Sequence, residues 1–182
     1  MPSPLAHTVA GALLTSSYLG SDRNPRNLFG LSWAGLLGVV TILSLLPDLP
    51  TVLGLFTGDL APFHNRQEHS LLAGLIVSCV VGLIGSAMTS RRWLPWFALA
   101  LSCYWLHIGM DYLTVGRGVM ALWPWSDARF GSPIRMFYGL HWSEGWLSWR
   151  HLWTVLTEAL LLSVVTALVL WRRRHRRDST RP

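Results

Sequence analysis

Two polar side chains stand about one helical turn apart in an otherwise apolar stretch of the chain. In the segment LHIGMDYL, His107 and Asp111 occupy positions i and i+4, so on a helix both project from the same face. An imidazole and a carboxylate at this spacing can bind one cation, as the two histidines of HExxH motifs do. The simpler interpretation is an intrahelical hydrogen bond that fixes a buried imidazole, and the spacing alone leaves both open.

A second group of polar residues lies in the segment HNRQEHS, which directly precedes a long apolar run. The segment offers two imidazoles, His64 and His69, the carboxylate of Glu68 and the guanidinium of Arg66. Ser70 can cap the following helix. A cap needs one residue, so the other ligand-type side chains of the segment require a different explanation.

Two further ligand-type residues lie at the ends of apolar stretches. His7 opens the stretch HTVAGALLTSSYLG, and Asp48 lies in LLPDLP, where Pro47 and Pro50 stop a helix and leave the carboxylate at the interface. Each residue alone is typical of a polar side chain at an interface. Charged groups at membrane depth cost about 2.5–3.5 kcal/mol each, however, and are therefore usually paired or functional.

The composition of the chain is typical of a membrane protein. Hydrophobic residues make up 51% of the 182 residues and charged residues 13%, against about 25% in soluble domains. All fifteen basic residues are arginine, and five of them lie in the tail WRRRHRR. A basic tail after an apolar stretch favours anionic lipid headgroups over nucleic acid as its partner. The two cysteines, Cys79 and Cys103, lie within apolar stretches and are interpreted as small core residues.

Four stretches approach the roughly 20 residues that a helix needs to cross a bilayer. They cover residues 28–46, 70–88, 93–113 and 152–171. A shorter one at 7–20 is a short span or an interfacial helix. We therefore predict an all-α polytopic membrane helix bundle, with a single integral-membrane domain at 1–171, an irregular cap at 114–151 and a basic cytoplasmic tail at 172–182.

Counting spans places the ligand-type residues on one side of the membrane. With five spans, ten arginines fall on one side and five on the other, and the positive-inside rule puts the ten in the cytoplasm. The ends of the apolar stretches that carry histidine and aspartate then all face the extracytoplasmic side. The candidate metal ligands of this shared site are His7, Asp48, His64, His69, His107 and Asp111.

Histidine and aspartate without cysteine suit a borderline-to-hard divalent ion, with zinc first and manganese or iron behind it. Six ligands exceed the four of a structural zinc site. Two ions, or one ion with open coordination positions, agree better with this number, and open positions are what catalysis needs.

The order and spacing of these motifs resemble the YdjM family of LexA-regulated inner-membrane proteins. The matching motifs are His7 before a small-residue helix, LPDLP, HNRQEHS and HIGMDYLTVGRGVMALWPWS, which together cover residues 1 to about 126. The resemblance implies a metal-dependent hydrolase distantly related to the all-helical zinc phospholipase C and P1 nuclease enzymes, which hydrolyse phosphodiesters. It further implies a principal metal site and a second ion near His7 that Asp111 bridges. The ligands of the principal site would be Asp48, one of His64 or His69, His107 and Asp111.

The chain departs from the family pattern in two places. Where the family usually reads HRGxTHS, Asn65, Arg66 and Glu68 replace the arginine, glycine and threonine, and Glu68 is thereby an additional candidate ligand. The later HxxxD/E pair of the phospholipase group is also absent, because the spacings in the two candidate pairs differ from it. These pairs are His141 with Glu144 and His151 with Glu158.

Glu158 lies midway along the last apolar stretch and is expected to face the bundle. Its candidate partners are His151, Arg150 and the polar site itself, or it is a protonated structural hydrogen-bond donor.

Our leading hypothesis is a membrane-embedded hydrolase that attacks a phosphoester, small or lipid-linked, with metal-activated water. The candidate catalytic residues are Asp48, Glu68 and Arg66, and Arg66, or Arg117 and Arg135, would hold a phosphate. The alternative is a non-enzymatic protein that binds a metal structurally or moves ions. A transporter would carry ionisable residues through the full membrane depth, whereas here they are one-sided. Haem ligation requires two histidines at matching depth, and the aspartate partners argue against it.

Overall fold

The computed structural model describes residues 1–19, 24–51, 54, 56, 66–140 and 148–178, except for the side chains at 172, 173 and 176–178. Within these residues the protein is helical and holds no strand, which confirms the predicted all-α class. The described α-helices are α1 (Pro4–Leu19), α2 (Pro25–Phe29), α3 (Trp33–Leu45), α4 (Leu71–Thr89), α5 (Trp93–Tyr112) and α6 (His151–Asp178). Two short 3-10 turns, Leu46–Asp48 and Gln67–His69, follow α3 and precede α4.

The central helix of the bundle is α5, which packs against α1, α2, α3 and α4. The helices α4 and α5 form an antiparallel hairpin whose connection begins at Ser90, a residue with a left-handed φ of 53°. The last helix, α6, packs mainly on α1. The helix that carries His107 and Asp111 is thus held on several sides.

Small residues let α4 and α5 approach closely. Glycine and serine recur on the buried face of α4, and a Cβ atom on Gly74 would lie 2.8 Å from Cδ1 of Trp105 and 2.9 Å from Cδ1 of Tyr104. Stripes of small residues at this spacing are typical of close helix contacts in membranes. The stripe consists of Gly74, Ser78, Gly82 and Gly85. The aromatic rings of α5 therefore rest directly on the backbone of α4.

The helices α1 and α3 run antiparallel and also meet at a glycine. A Cβ atom on Gly11 would collide with Oγ of Ser44, so the two backbones are close at this level. His7 lies one turn before Gly11, and Asp48 lies one turn after Ser44. The antiparallel packing therefore brings His7 and Asp48 to the same end of the bundle.

Glu158 holds the last helix to the start of the first. Its carboxylate is 5% exposed and accepts hydrogen bonds from the backbone N–H of Ser3 at 2.6 Å and from the Ser3 hydroxyl at 2.5 Å. One turn earlier on α6, the hydroxyl of Thr154 donates to the carbonyl of Gly139 at 2.7 Å. The partner of Glu158 is thus Ser3, which was not among its candidates.

The predicted span at 28–46 is broken. The helix α2 ends at Phe29, Gly30 follows with a left-handed φ of 70°, and Ser32 starts α3 by accepting a hydrogen bond from the N–H of Gly35 at 3.2 Å. The resulting apolar helix, Trp33–Asp48, is shorter than a full span. The apolar pattern continues through the break, which is why composition alone predicted one helix.

Two described helices are long and apolar enough to cross a membrane, Leu71–Thr89 and His151–Trp171, so the predicted count of four spans plus a fifth is not confirmed. The helix α5 matches the predicted stretch 93–113 in length, but its polar and aromatic residues lower its hydropathy. The stretch 7–20 lies largely within α1. The helix α6 continues to Asp178, so the tail predicted at 172–182 begins as part of it.

The predicted cap is irregular where the structure describes it, with two isolated bridges, Thr114 to Phe137 and Val119 to Phe130.

Cys103 is buried as expected, whereas Cys79 is exposed on the outer face of α4, so only one cysteine is a core residue.

The close approach of α4 and α5 leads to a prediction about the stability of the fold. We expect Gly74→Ala to lower the free energy of unfolding by about 1–3 kcal/mol, because the added methyl group overlaps the rings of Trp105 and Tyr104. Thermal unfolding of the detergent-solubilised protein, followed by circular dichroism, measures the change. The matched control is Gly38→Ala on α3, where an added Cβ meets nothing within 4 Å. A Gly74→Ala protein as stable as the wild type would contradict the packing described here.

Candidate metal centre

Five ligand-type side chains converge at one end of the bundle. His7 comes from the first turn of α1, Asp48 and His69 from the two 3-10 turns, and His107 and Asp111 from the last turns of α5. None of the five residues is more than 9% exposed. The convergence follows from the antiparallel packing, which brings the starts of α1 and α4 and the ends of α3 and α5 to the same end of the bundle.

Four of these residues form a set with the dimensions of a metal site. One ligand atom from each of Asp48, His69, His107 and Asp111 lies within 4.8 Å of all the others. From Nε2 of His69 the distances are 3.2 Å to Nε2 of His107, 3.2 Å to Oδ2 of Asp111 and 3.4 Å to Oδ1 of Asp48. Ligands about 2.0–2.2 Å from a tetrahedral ion are separated by about 3.3–3.6 Å. The buried cluster can therefore hold one divalent ion.

The carbonyl of Ser44 fixes the orientation of the His107 ring. Nδ1 of His107 lies 2.7 Å from this oxygen, which can only accept, so Nδ1 carries the proton and Nε2 has the lone pair. Nε2 points into the cluster, 3.6 Å from Oδ2 of Asp48 and 3.8 Å from Oδ2 of Asp111. Metal-binding histidines usually donate their other ring N–H in this way.

Glu68 stands behind the ring of His69. Its Oε1 lies 3.5 Å from Nδ1 of His69, on the side away from the cluster, and accepts a hydrogen bond from the N–H of Arg66 at 2.7 Å. The Tyr104 hydroxyl donates to the carbonyl of Glu68 at 2.7 Å and anchors the turn on α5. Glu68 is therefore placed to orient His69, as carboxylates do behind metal-binding histidines.

The charges of this group are strongly coupled. Burial opposes the charged form of His69, but the adjacent carboxylates of Asp111, Asp48 and Glu68 raise its pKa well above the ordinary value. Burial likewise opposes the charged form of Glu68, yet the adjacent imidazole of His69 and a hydrogen bond from the N–H of Arg66 lower its pKa. Two buried carboxylates side by side require positive charge, which either a protonated imidazole or a divalent ion supplies.

His7 lies beside the four-residue set. Its ring stacks on that of His107, with centroids 3.7 Å apart and planes 15° apart, and its Nε2 lies 3.7 Å from Oδ1 of Asp111. Neither ring nitrogen has a hydrogen-bond partner among the described residues. Oδ1 of Asp111 thus faces His7 while Oδ2 faces His69.

The structure brings together five of the six predicted ligands. His64, the sixth, lies outside the described residues, as do His141 and Glu144. His69 is thus the histidine of HNRQEHS that is seen in the cluster. The predicted cap is also present, because the hydroxyl of Ser70 accepts a hydrogen bond from the N–H of Ala73 at 3.1 Å at the start of α4.

The predicted phosphate-binding arginines lie outside the cluster. Arg66 and Arg117 are exposed, and the guanidinium of Arg135 donates to the carbonyl of Thr114 at 2.7 Å. Glu158 binds Ser3, and His151 lies at the start of α6. None of these residues contributes a ligand atom to the four-residue set.

Sequence reasoning missed the groups that orient the ligands. The partner of His107 is the backbone carbonyl of Ser44, and a backbone group leaves no trace in residue type. Tyr104 could have been found, because it precedes His107 by three residues and shares its helix face.

The comparisons with known proteins agree on the family. The family model described as YdjM inner membrane protein matches residues 1–177. Inner membrane protein YbcI of Escherichia coli (strain K12) is 32% identical over 145 residues, covering 73% of this chain and 73% of that protein. No solved structure matches the chain.

The geometry of the cluster predicts which side chains the protein needs to retain a bound metal ion. We expect His107→Ala and Asp111→Asn to lose the divalent ion that purifies with the wild type, because each change removes one of four ligands. Elemental analysis of detergent-purified protein measures the bound metal per chain. The matched control is His175→Ala, since His175 lies far along α6 against Trp171. Unchanged metal content in both cluster variants would show that these residues do not bind it.

Proposed function

The chain belongs to the YdjM family of inner membrane proteins, and on that premise we propose that it is a membrane-embedded metal-dependent hydrolase acting on a phosphoester. The observation that carries the proposal is the buried set of Asp48, His69, His107 and Asp111. A set of two imidazoles and two carboxylates favours zinc, with manganese or iron as alternatives. One ion is held by the four residues, and His7 with Oδ1 of Asp111 is a place for a second.

Four protein ligands fill a tetrahedral ion, so the chemistry requires a fifth coordination position that water or substrate can reach. The least buried side chains around the centre are those of Asp48 and Glu68, 11% and 19% exposed, so solvent approaches from their side. A divalent ion bound here would supply Lewis-acid polarisation of a phosphoryl oxygen and an activated water molecule.

The residues of the chain hold and orient this centre. Ser44 and Glu68 keep the Nε2 atoms of His107 and His69 directed inward, and Asp48 is positioned on the open side, where its carboxylate can accept a proton from water. Arg66 begins the turn that carries His69 and is exposed, and we assign it to contact the substrate. Asp48 and Arg66 are retained as candidate catalytic residues, whereas Glu68, which acts through His69, is a positioning residue.

We further propose that the centre faces the extracytoplasmic side. Arg26, Arg91 and Arg92 lie at the end of the bundle opposite to the cluster, as do the arginines of the final helix. The positive-inside rule assigns the arginine-rich end in short segments to the cytoplasm.

Hydrolysis is tested with a panel of phosphomonoesters and phosphodiesters, soluble and lipid-borne, on metal-loaded protein in detergent. We expect turnover that a chelator abolishes and zinc restores. Asp48→Asn and Asp111→Asn should reduce this turnover to background, whereas His175→Ala should retain it. Stoichiometric metal together with no hydrolysis of any substrate would indicate a structural or transport role instead. Turnover that Asp48→Asn leaves unaltered would exclude Asp48 from catalysis.

The orientation is tested with reporter fusions at the C-terminus. We expect a fluorescent reporter that folds in the cytoplasm to be active there and an alkaline phosphatase reporter to be inactive. The opposite pair of results would place the metal centre on the cytoplasmic face.

A further inference from the structure

The cap carries an apolar turn on its surface, residues 120–125, in the segment MALWPW. The N–H of Trp125 donates to the carbonyl of Leu122 at 3.0 Å and closes this turn. Leu122 is 46% exposed and Trp125 is 77% exposed. The nearest charged residues along the chain are Arg117 and Asp127, so no charge stands within the turn. Two large apolar side chains displayed together on one short turn are costly in water and indicate a surface that another phase or molecule covers.

A backbone hydrogen bond places the 120–125 turn at the level where α4 begins. The N–H of Leu71, the first residue of α4, donates to the carbonyl of Ala121 at 3.0 Å. The helix α4 is long and apolar enough to cross a membrane, so its first residue marks the level at which the hydrocarbon begins. His69 of the metal centre comes shortly before Leu71 in the chain. The turn and the metal centre therefore lie at the same boundary of the membrane.

The apolar surface of α4 continues onto the turn. Leu71 is exposed at the start of α4, and the exposed ring of Trp105 on α5 donates its Nε1–H to the carbonyl of Leu71 at 3.2 Å. The side chain of Ala121 packs against buried residues of α5, whereas Leu122 and Trp125 are left on the outside. Lipid that surrounds α4 thus borders the turn.

Exposed tryptophans lie at both ends of the bundle. Tryptophan is enriched at membrane–water interfaces, where its ring lies at the level of the headgroups. At the end opposite to the metal centre, the exposed tryptophans are Trp33 at the start of α3, Trp93 at the start of α5 and Trp171 at the end of the apolar part of α6. At the end of the metal centre, Trp149 and Trp153 are exposed at the start of α6. Trp125 belongs by its position to this second group.

We propose that the 120–125 turn is inserted in the membrane interface at the end of the metal centre and binds lipids of that leaflet through Leu122 and Trp125. The indole ring combines an apolar body with one N–H donor, which suits simultaneous contact with acyl chains and with headgroup oxygens. The charged side chain of Asp127, just beyond the turn, is exposed and marks the side that faces water.

Lipid is a better occupant of this surface than a second copy of the chain. A stable protein interface buries about 800 Å² on each partner, more than the two exposed side chains of the turn supply. The surface is also continuous with the side of α4 that faces the membrane, and the family consists of inner membrane proteins.

The inserted turn would hold the metal centre at the depth of the lipid headgroups. The carbonyl of Ala121 binds the N–H of Leu71, which follows the His69–Ser70 pair directly. Lipid that binds the turn therefore contacts the element to which the turn of His69 is tied. This lipid contact requires no catalysis, so it stands apart from the proposed hydrolysis.

The depth of the turn is tested with a fluorophore on single cysteines. In a Cys79→Ala, Cys103→Ala background, Trp125→Cys is labelled with a nitrobenzoxadiazole dye, and the full-length protein is reconstituted in phosphatidylcholine nanodiscs. We expect phosphatidylcholine with a nitroxide near its headgroup to quench this dye about twofold or more, and aqueous iodide to leave it unquenched. Leu122→Cys, labelled in the same way, gives the measurement at a second position of the turn.

Two positions serve as matched controls. A dye at Asp127→Cys should be quenched by iodide, because this residue is exposed beyond the apolar turn. A dye at Val80→Cys should be quenched by a nitroxide near the end of the acyl chain, because Val80 is exposed midway along α4. Thermal unfolding of each labelled protein, followed by circular dichroism, verifies that the fold is retained.

The remaining outcomes contradict the proposal. Iodide quenching of the dyes at positions 122 and 125, without quenching by the nitroxide lipid, would place the turn in water. Dyes that neither quencher reaches would show that a second copy of the chain or another protein covers the turn instead of lipid.

Discussion

The constraint on which this structure depends is the burial of two carboxylates at one end of an apolar bundle. Asp48 and Asp111 are at most 9% exposed and share His69 and His107 as neighbours. Each buried charge costs several kcal/mol unless it is paired. The compensation must come from the imidazoles, in protonated form, or from a cation that all four side chains bind. Either way, the turns that carry Asp48 and His69 are bound to the end of α5.

The geometry of the cluster is fixed by groups that do not belong to it. The backbone of α3 directs His107 through the carbonyl of Ser44, and Glu68 directs His69. The small residues of α4 hold α5 at a distance at which Tyr104 can reach the turn of His69. Sites supported by rigid helices and by hydrogen bonds behind their ligands keep their geometry within a few tenths of an ångström, which metal binding requires. The packing of the bundle is therefore part of the centre.

Much of this arrangement was predictable, because spacing and span ends constrain it strongly. The i, i+4 spacing of His107 and Asp111 set their common face, and the alternation of helix direction indicated which other ends would join them. The span at 28–46 was predicted wrongly, since the left-handed Gly30 and the cap at Ser32 lie inside an unbroken apolar pattern. The partnership of Glu158 with Ser3 joins residues 155 positions apart, and nothing local to either residue indicates it.

The turn HNRQEHS shows how the chain departs from its family's usual motif without losing the site. Arg66 stands where the resemblance implies glycine, and its φ of −110° lies outside the left-handed region that favours glycine. The turn is closed by the hydrogen bonds from His69 N–H to the Arg66 carbonyl and from Arg66 N–H to the Glu68 carboxylate, and by the Ser70 cap. Glu68 thus adds a carboxylate behind His69 and helps to close the turn, so it modifies the electrostatics of the centre while the ligand positions are retained.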